Sequence, residues 1–251
     1  MSLVASLMSG FSCAEAQAEK PAATAPAQLT KFLNQVDAAA NSRNAKSVAE
    51  FYVPNFSSSD GLNRQTLQDA LTSLWTRYPN LNYRTELKSW KPDGNGFLAE
   101  TITYVTGTQK QGDREFKLDA TLEARQRIEN QKIVRQEILN ERSQITSGSN
   151  PPAIKVTLPE QVRAGQEFSF DAIVQEPLGD DLLMGTALEE PVKTDGYLNV
   201  TTANLEPLPS GGVFKVGKAP LNSEHHWLSA VVVRHDGITM ITQRLRIVGR
   251  K

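Results

Sequence analysis

Glu100 is the residue whose type and spacing point most directly to chemistry. It lies in an alternating run, with Leu98, Ile102 and Tyr104 on its own side and Phe97, Ala99, Thr101, Thr103 and Val105 on the other. A carboxylate among apolar neighbours loses hydration, its pKa rises, and it becomes suited to taking a proton as a general base. Alternation alone leaves open which side faces inward. If the Phe97 side meets the core, Glu100 sits at a wet rim. The other candidate groups are sparse. All three histidines come after residue 224. His225 and His226 are neighbours, and on a strand they point to opposite faces, so they do not converge on one metal. Asp180-Asp181 and Glu189-Glu190 lack the full oxygen cage that calcium needs and read as solvated acids. No phosphate loop, cysteine pair or nucleophile elbow is present. The expectation is no metal and no cofactor.

These residues must be positioned by elements of two kinds. From Leu29 to Tyr78 the apolar residues recur every three or four positions, and from Tyr83 onward they alternate. The first period predicts three helices. One carries Leu29, Phe32, Leu33, Val36 and Ala40. A second, short helix is capped by Asn44, carries Val48, Phe51 and Tyr52, and stops at Pro54. The third is capped by Asn63, carries Leu67, Leu71, Leu74, Trp75 and Tyr78, and ends at Pro79. Four strands follow, over residues 83–90, 97–106, 116–124 and 133–145. The third alternates without a break, Phe116, Leu118, Ala120, Leu122 and Ala124 against Lys117, Asp119, Thr121 and Glu123, and so has one wet face.

Three helices before a curved antiparallel meander, with Glu50-Phe51-Tyr52 running through Pro54-Asn55-Phe56 into a Ser-Asp-Gly loop, resemble the nuclear transport factor 2-like superfamily. That cone-fold group also holds ketosteroid isomerases and polyketide cyclases. The resemblance spans residues 27–147. It implies a pocket between helices and sheet for a small apolar ligand, lined here by Tyr52, Trp75, Tyr78, Tyr83, Leu98, Glu100, Ile102, Tyr104, Gln136 and Asn140. Trp75 and Tyr78, at i and i+3 on a helix, are the kind of pair that more often fills a core than lines a cofactor box. Enzymes of this fold use His with Asp, or Asp with Tyr. With no histidine before residue 225, a His-Asp dyad inside residues 27–147 is excluded.

Residues 148–152, centred on Gly148-Ser149-Asn150-Pro151-Pro152, read as a linker. Residues 153–251 hold about seven strand candidates separated by turn signals. One of these covers 196–202. The run Val162-Arg163-Ala164-Gly165-Gln166-Glu167-Phe168, followed by alternating Phe170 and Ala172, resembles the start of immunoglobulin-like domains, here without a disulfide. The fold class expected is therefore α+β: an N-terminal three-helix cone with a curved antiparallel sheet, then a C-terminal all-β immunoglobulin-like β-sandwich.

The start of the chain reads as a signal peptide and a disordered spacer over residues 1–26: a small, apolar run from Ser2 to Cys13, then Ala16-Gln17-Ala18 as a cleavage site. Export to the periplasm or another extracytoplasmic space is expected. Cys13, the single cysteine of the 251 residues, allows no internal disulfide and is either discarded with the leader or lipidated as a membrane anchor. A net charge of -1 without a one-signed field argues against nucleic acid. The leading functional expectation is an exported, non-catalytic binding or scaffolding protein. It would hold a small apolar ligand in the cone, contact a protein through the second domain, and pair with itself through the cone sheet near Arg125, Arg127, Arg135 and Glu137. The alternative is an isomerase, dehydratase or cyclase acting α to a carbonyl, with Glu100 as base and Tyr104 or Tyr52 as donor.

Overall fold

The structure is a computed structural model that describes residues 18–177, 182–198, 202–208 and 211–249. The chain opens with β1 (Lys20–Pro21), a 3-10 turn, α1 (Ala27–Asn41), α2 (Ala45–Ala49), β2 (Tyr52–Ser58) and α3 (Arg64–Arg77). Four long strands follow: β3 (Asn82–Asp93), β4 (Gly96–Gln111), β5 (Arg114–Glu129) and β6 (Lys132–Gly148). After Pro151-Pro152 come β7 (Ile154–Thr157), β8 (Gln161–Arg163), β9 (Glu167–Val174), β10 (Met184–Pro191), α4 (Thr194–Leu198) and β11 (Glu206–Pro207). The chain then finishes with β12 (Gly212–Lys218), β13 (Glu224–Arg234) and β14 (Gly237–Val248).

The expected α+β cone followed by a separate sandwich is corrected. Strands hold 56% of the described residues and helices 19%, the helices are short, and one large sheet runs through both regions. Its order is β1-β3-β4-β5-β6-β14-β13-β10-β11, antiparallel along that path. The reason lies in β6. It is 17 residues long, and residues 142–148 pair with residues 237–243 of β14. Alternation reports that a segment is a strand but not whose edge it will cover, and an uncovered edge of that length seeks a partner.

Two local expectations also change. Residues 52–58 form a strand parallel to β6 instead of ending a helix, with Pro54 inside a register irregularity, where a missing donor is tolerated. Residues 194–198 form a helical turn where a strand was expected. Gly196 has a packing role there, since a Cβ on it would stand 2.6 Å from the Trp227 ring.

Two cores result. Under the helices, Leu29, Phe32, Val48, Tyr52, Trp75 and Tyr78 meet Ala99, Ile128 and Ile133 of the sheet. Beyond the linker, a three-stranded sheet ordered β12-β9-β7 lays Phe168, Phe170 and Ala172 on Leu228, Ala230, Val232, Ile241 and Leu245. The linker itself is fastened to the β13–β14 hairpin. Ser149 and Asn150 donate their backbone N–H groups to the Asp236 carbonyl at 3.0 and 3.2 Å. Thr239 Oγ1 donates to the Pro152 carbonyl at 2.7 Å.

Candidate functional site

The densest group of chemically capable side chains is assembled from five distant segments. Asp60 stands in the turn after β2, wound tight by Ser58, whose Oγ accepts from the backbone N–H of Asp60 and of Leu62 at 3.2 and 2.9 Å. Gly61, at φ +80, occupies the left-handed position of that turn. Ser59 ties the turn to β6, its N–H donating to the Gln136 carbonyl and its Oγ accepting from Ile138 N. The turn aims the Asp60 carboxylate at Arg244 of β14.

Arg244 is fully buried and its guanidinium is saturated. Its two terminal nitrogens bond both Asp60 oxygens at 2.9 Å. Glu141 Oε2 of β6 accepts from Nη2 at 2.7 Å and from Nε at 3.2 Å. Tyr197 of α4 donates to Asp60 Oδ2 at 2.5 Å and accepts from Arg244 at 3.1 Å. Trp227 Nε1 donates to Glu141 at 2.9 Å, and its ring meets Tyr197 edge-on at 4.9 Å. His225 Nδ1 lies 2.9 Å from Arg244 Nη1. Because the guanidinium can only donate, Nδ1 is the acceptor and a neutral ring keeps its proton on Nε2.

Burial raises the Asp60 carboxyl, but the Arg244 bonds and charge outweigh it and hold the group below the ordinary carboxylate range. Burial lowers His225, and the Arg244 charge lowers it further. Burial raises Tyr197, and the carboxylates add to that, so its hydroxyl remains a donor. Desolvation works against the Arg244 charge, yet Glu141 and Asp60 overcome it and raise the group. The cluster therefore holds one guanidinium against two carboxylates, with no unbonded base.

A His-Asp approach does occur, across the two regions: His225 Nδ1 lies 3.9 Å from Asp60 Oδ1. Within residues 27–147 it was excluded, but β13 joins the same sheet and brings the ring in. Arg244 occupies both Asp60 oxygens, so the carboxylate is not available to that imidazole as a base.

The residues singled out from sequence separate onto the two faces of the sheet. Ala99 and Thr101 are buried, so the Phe97 face of β4 points inward and Glu100 and Tyr104 point the other way. Glu100 accepts from Arg125 at 2.6 and 2.9 Å, and Arg125 also reaches Glu137. Tyr104 lies beneath the Arg84 guanidinium and near Glu86. Tyr52, Trp75 and Tyr78 are buried on the helix side, and Trp75 Nε1 donates to the Tyr83 hydroxyl at 2.9 Å. Burial pushes Tyr52 and Tyr83 up to about 12. Gln136 accepts from Gln126 on the helix side, opposite in register. The structure thus joins Trp75, Tyr78 and Tyr83 in one core and keeps Glu100 and Tyr104 away from it.

His226 turns away from His225. Its two nitrogens lie 2.9 Å from Glu189 and 3.0 Å from Glu224, and only a doubly protonated ring donates to both. Lys215 of β12 reaches the other Glu189 oxygen at 2.9 Å. Burial raises Glu189, but Lys215 and His226 outweigh it and leave the carboxyl lowered. His235 is exposed in the last hairpin. Among the described residues, no three His, Cys, Asp or Glu side chains are arranged to hold a metal ion. Cys13, Asp180 and Asp181 lie outside the described residues.

A cleft of about 90 Å³ opens between α1 and the tips of the β3–β4 and β5–β6 hairpins, floored by Leu29, Phe32, Phe97 and Ile128. Sequence reasoning missed it because its walls come from three separate segments. No described helix is long and apolar enough to cross a membrane.

Residues 149–248 match the model of a family described as a domain of unknown function, DUF8623. No curated protein matches the chain. Three solved structures are similar to part of it. Bd1075 of Bdellovibrio bacteriovorus is 16% identical over 44% of this chain and 40% of its own, with a TM-score of 0.33. A loop-truncation variant of IdmH is 12% identical over 43% and 89%, with a TM-score of 0.32. A point variant of Rv3472, a protein of unknown function from Mycobacterium tuberculosis, is 12% identical over 44% and 68%, with a TM-score of 0.34.

Proposed function

We infer that this protein is an exported, non-catalytic binding or scaffolding protein. The observation that carries the reading is the closure of the Arg244 cluster. Asp60, Glu141 and Tyr197 all bond the same buried guanidinium and do so on the seam between the helix-bearing part and the part after the linker. Groups spent on one another brace a joint, whereas a catalytic carboxylate must be free to take a proton. Glu100, the base of the alternative enzyme reading, is likewise held by Arg125. Export rests on the apolar run at residues 2–13 and the small-residue site after it.

We assign the small apolar ligand to the α1 cleft, whose 90 Å³ suits a short aliphatic group and falls well below the roughly 300 Å³ at which enclosed sites for larger ligands begin. Co-purification from an extracytoplasmic fraction, followed by reconstitution with the purified partner, tests the binding reading. It is supported if the partner binds Glu100→Gln protein as it binds the parent. Turnover of a carbonyl substrate that disappears in Glu100→Gln protein would overturn it.

A further inference from the structure

Among the described residues, the sheet edges are guarded unequally. The path of the large sheet ends on β1 and β11, each two residues long and each ending in proline, Pro21 and Pro207, while off that path β2 carries Pro54 and β8 is three residues long. The β7 edge of the small sheet is four residues long and lies between Pro152 and Pro159. Short edges and prolines are the usual defences against strand addition. The β12 edge has neither defence. It runs seven residues without proline and exposes Phe214 at 56% and Val216 at 76%.

The hydrogen-bond phase of β12 is fixed at both ends. Val174 N donates to the Gly211 carbonyl, and Ala219 N donates to the Gln166 carbonyl. Odd-numbered residues therefore bond β9, and Gly212, Phe214, Val216 and Lys218 turn their N–H and C=O groups outward. Among the described residues, no backbone group pairs with them.

We propose that β12 is the contact edge of a twofold dimer of this chain, in which two β12 strands pair antiparallel about Lys215. Such a register uses all seven residues and matches the outward phase. Phe214 of each copy then stands opposite Val216 of the other, an aromatic against a β-branched residue, and each pair exchanges its backbone bonds. Lys218 faces Gly212, so no charge clash arises there. Lys215 meets its own copy, but its charge is already held by Glu189 on the inner side. The contact is isologous and closes at two. It is independent of the binding reading above, which a monomer leaves standing.

Sedimentation equilibrium of the full chain, from micromolar to hundreds of micromolar, tests it. A dimer is expected. Val216→Pro removes an outward N–H without touching a bond to β9, and Phe214→Lys places a charge on the edge. Each should weaken the dimer by about tenfold or more, with circular dichroism unchanged. If Val216→Pro disturbs folding, Phe214→Lys, at a site more than half exposed, carries the mutational test. Hydrogen exchange on the unmodified chain is a second measurement: the Phe214 and Val216 amides should gain protection as concentration rises. A monomer throughout, filaments, a dimer that survives both substitutions, or amides indifferent to concentration would each overturn the proposal.

Discussion

Arg244 concentrates the stability of the molecule in one side chain. Replacing it with Leu leaves Asp60 and Glu141 buried without their counter-charge, and breaking such a pair from one side costs about 3–5 kcal/mol. Urea denaturation should show that loss as a lower midpoint with an unchanged slope. The pH dependence follows from the same groups. His225 is lowered in the folded state, so the unfolded chain binds the proton more readily. Its contribution is complete above the ordinary imidazole range and is lost as pH falls below about 6.5. Glu189 and Asp60 are also lowered, so theirs is present above the carboxylate range and is lost as pH falls through the folded values. Melting temperature should therefore fall in two stages on acidification, and His225→Gln should flatten the first while leaving the second. Of this cluster the sequence singles out His225 alone, with nothing to connect it to Arg244. Arg244 sits among alternating polar residues as a wet-face arginine would, and its partners are 184, 103 and 47 residues away. Glu100 misled for the complementary reason: its neighbours Leu98 and Ile102 are apolar, but Arg125 opposite it supplies the partner.

At the scale of elements, local rules are visible wherever a segment needs only its own residues. Asn63 accepts from Thr66 N and Thr66 accepts from Asn63 N, a reciprocal cap that starts α3. Asn63→Ala should cost about 1 kcal/mol in thermal or urea unfolding. The unbroken alternation at residues 116–124 lies within β5. Where a segment depends on distant partners, the signal fails. The apolar spacing of Phe51 and Tyr52 continues that of the preceding helix, yet β6 captures Tyr52 into a parallel strand. Gly196 suggested the start of a strand, but its missing Cβ serves the contact between α4 and Trp227. Gly196→Ala forces that ring or the helix aside. A loss of about 1–3 kcal/mol is expected, with a change in the Trp227 fluorescence of the folded protein.

Across the whole molecule, the sheet makes one cooperative body of the two parts on either side of the linker. Trp75 and Trp90 report the core under the helices, and Trp227 reports the seam. Single-tryptophan variants should lose their signals at one urea concentration, since the β6–β14 pairing and the Arg244 cluster both cross between the two parts. Separate midpoints would show that the seam is too weak to couple them. The period change along the chain located helices and strands, but no local pattern encodes a pairing between residues about a hundred positions apart. That pairing also sets a schedule for synthesis. β14, the last described strand to leave the ribosome, does not end the sheet but inserts between β6 and β13. Until it arrives, residues 142–148 of β6 stand open, and a nascent or truncated chain exposes an edge there that the finished protein never shows. Folding is thus held back to the final strand by the order of the sheet itself, and loss of that strand becomes a cause of aggregation.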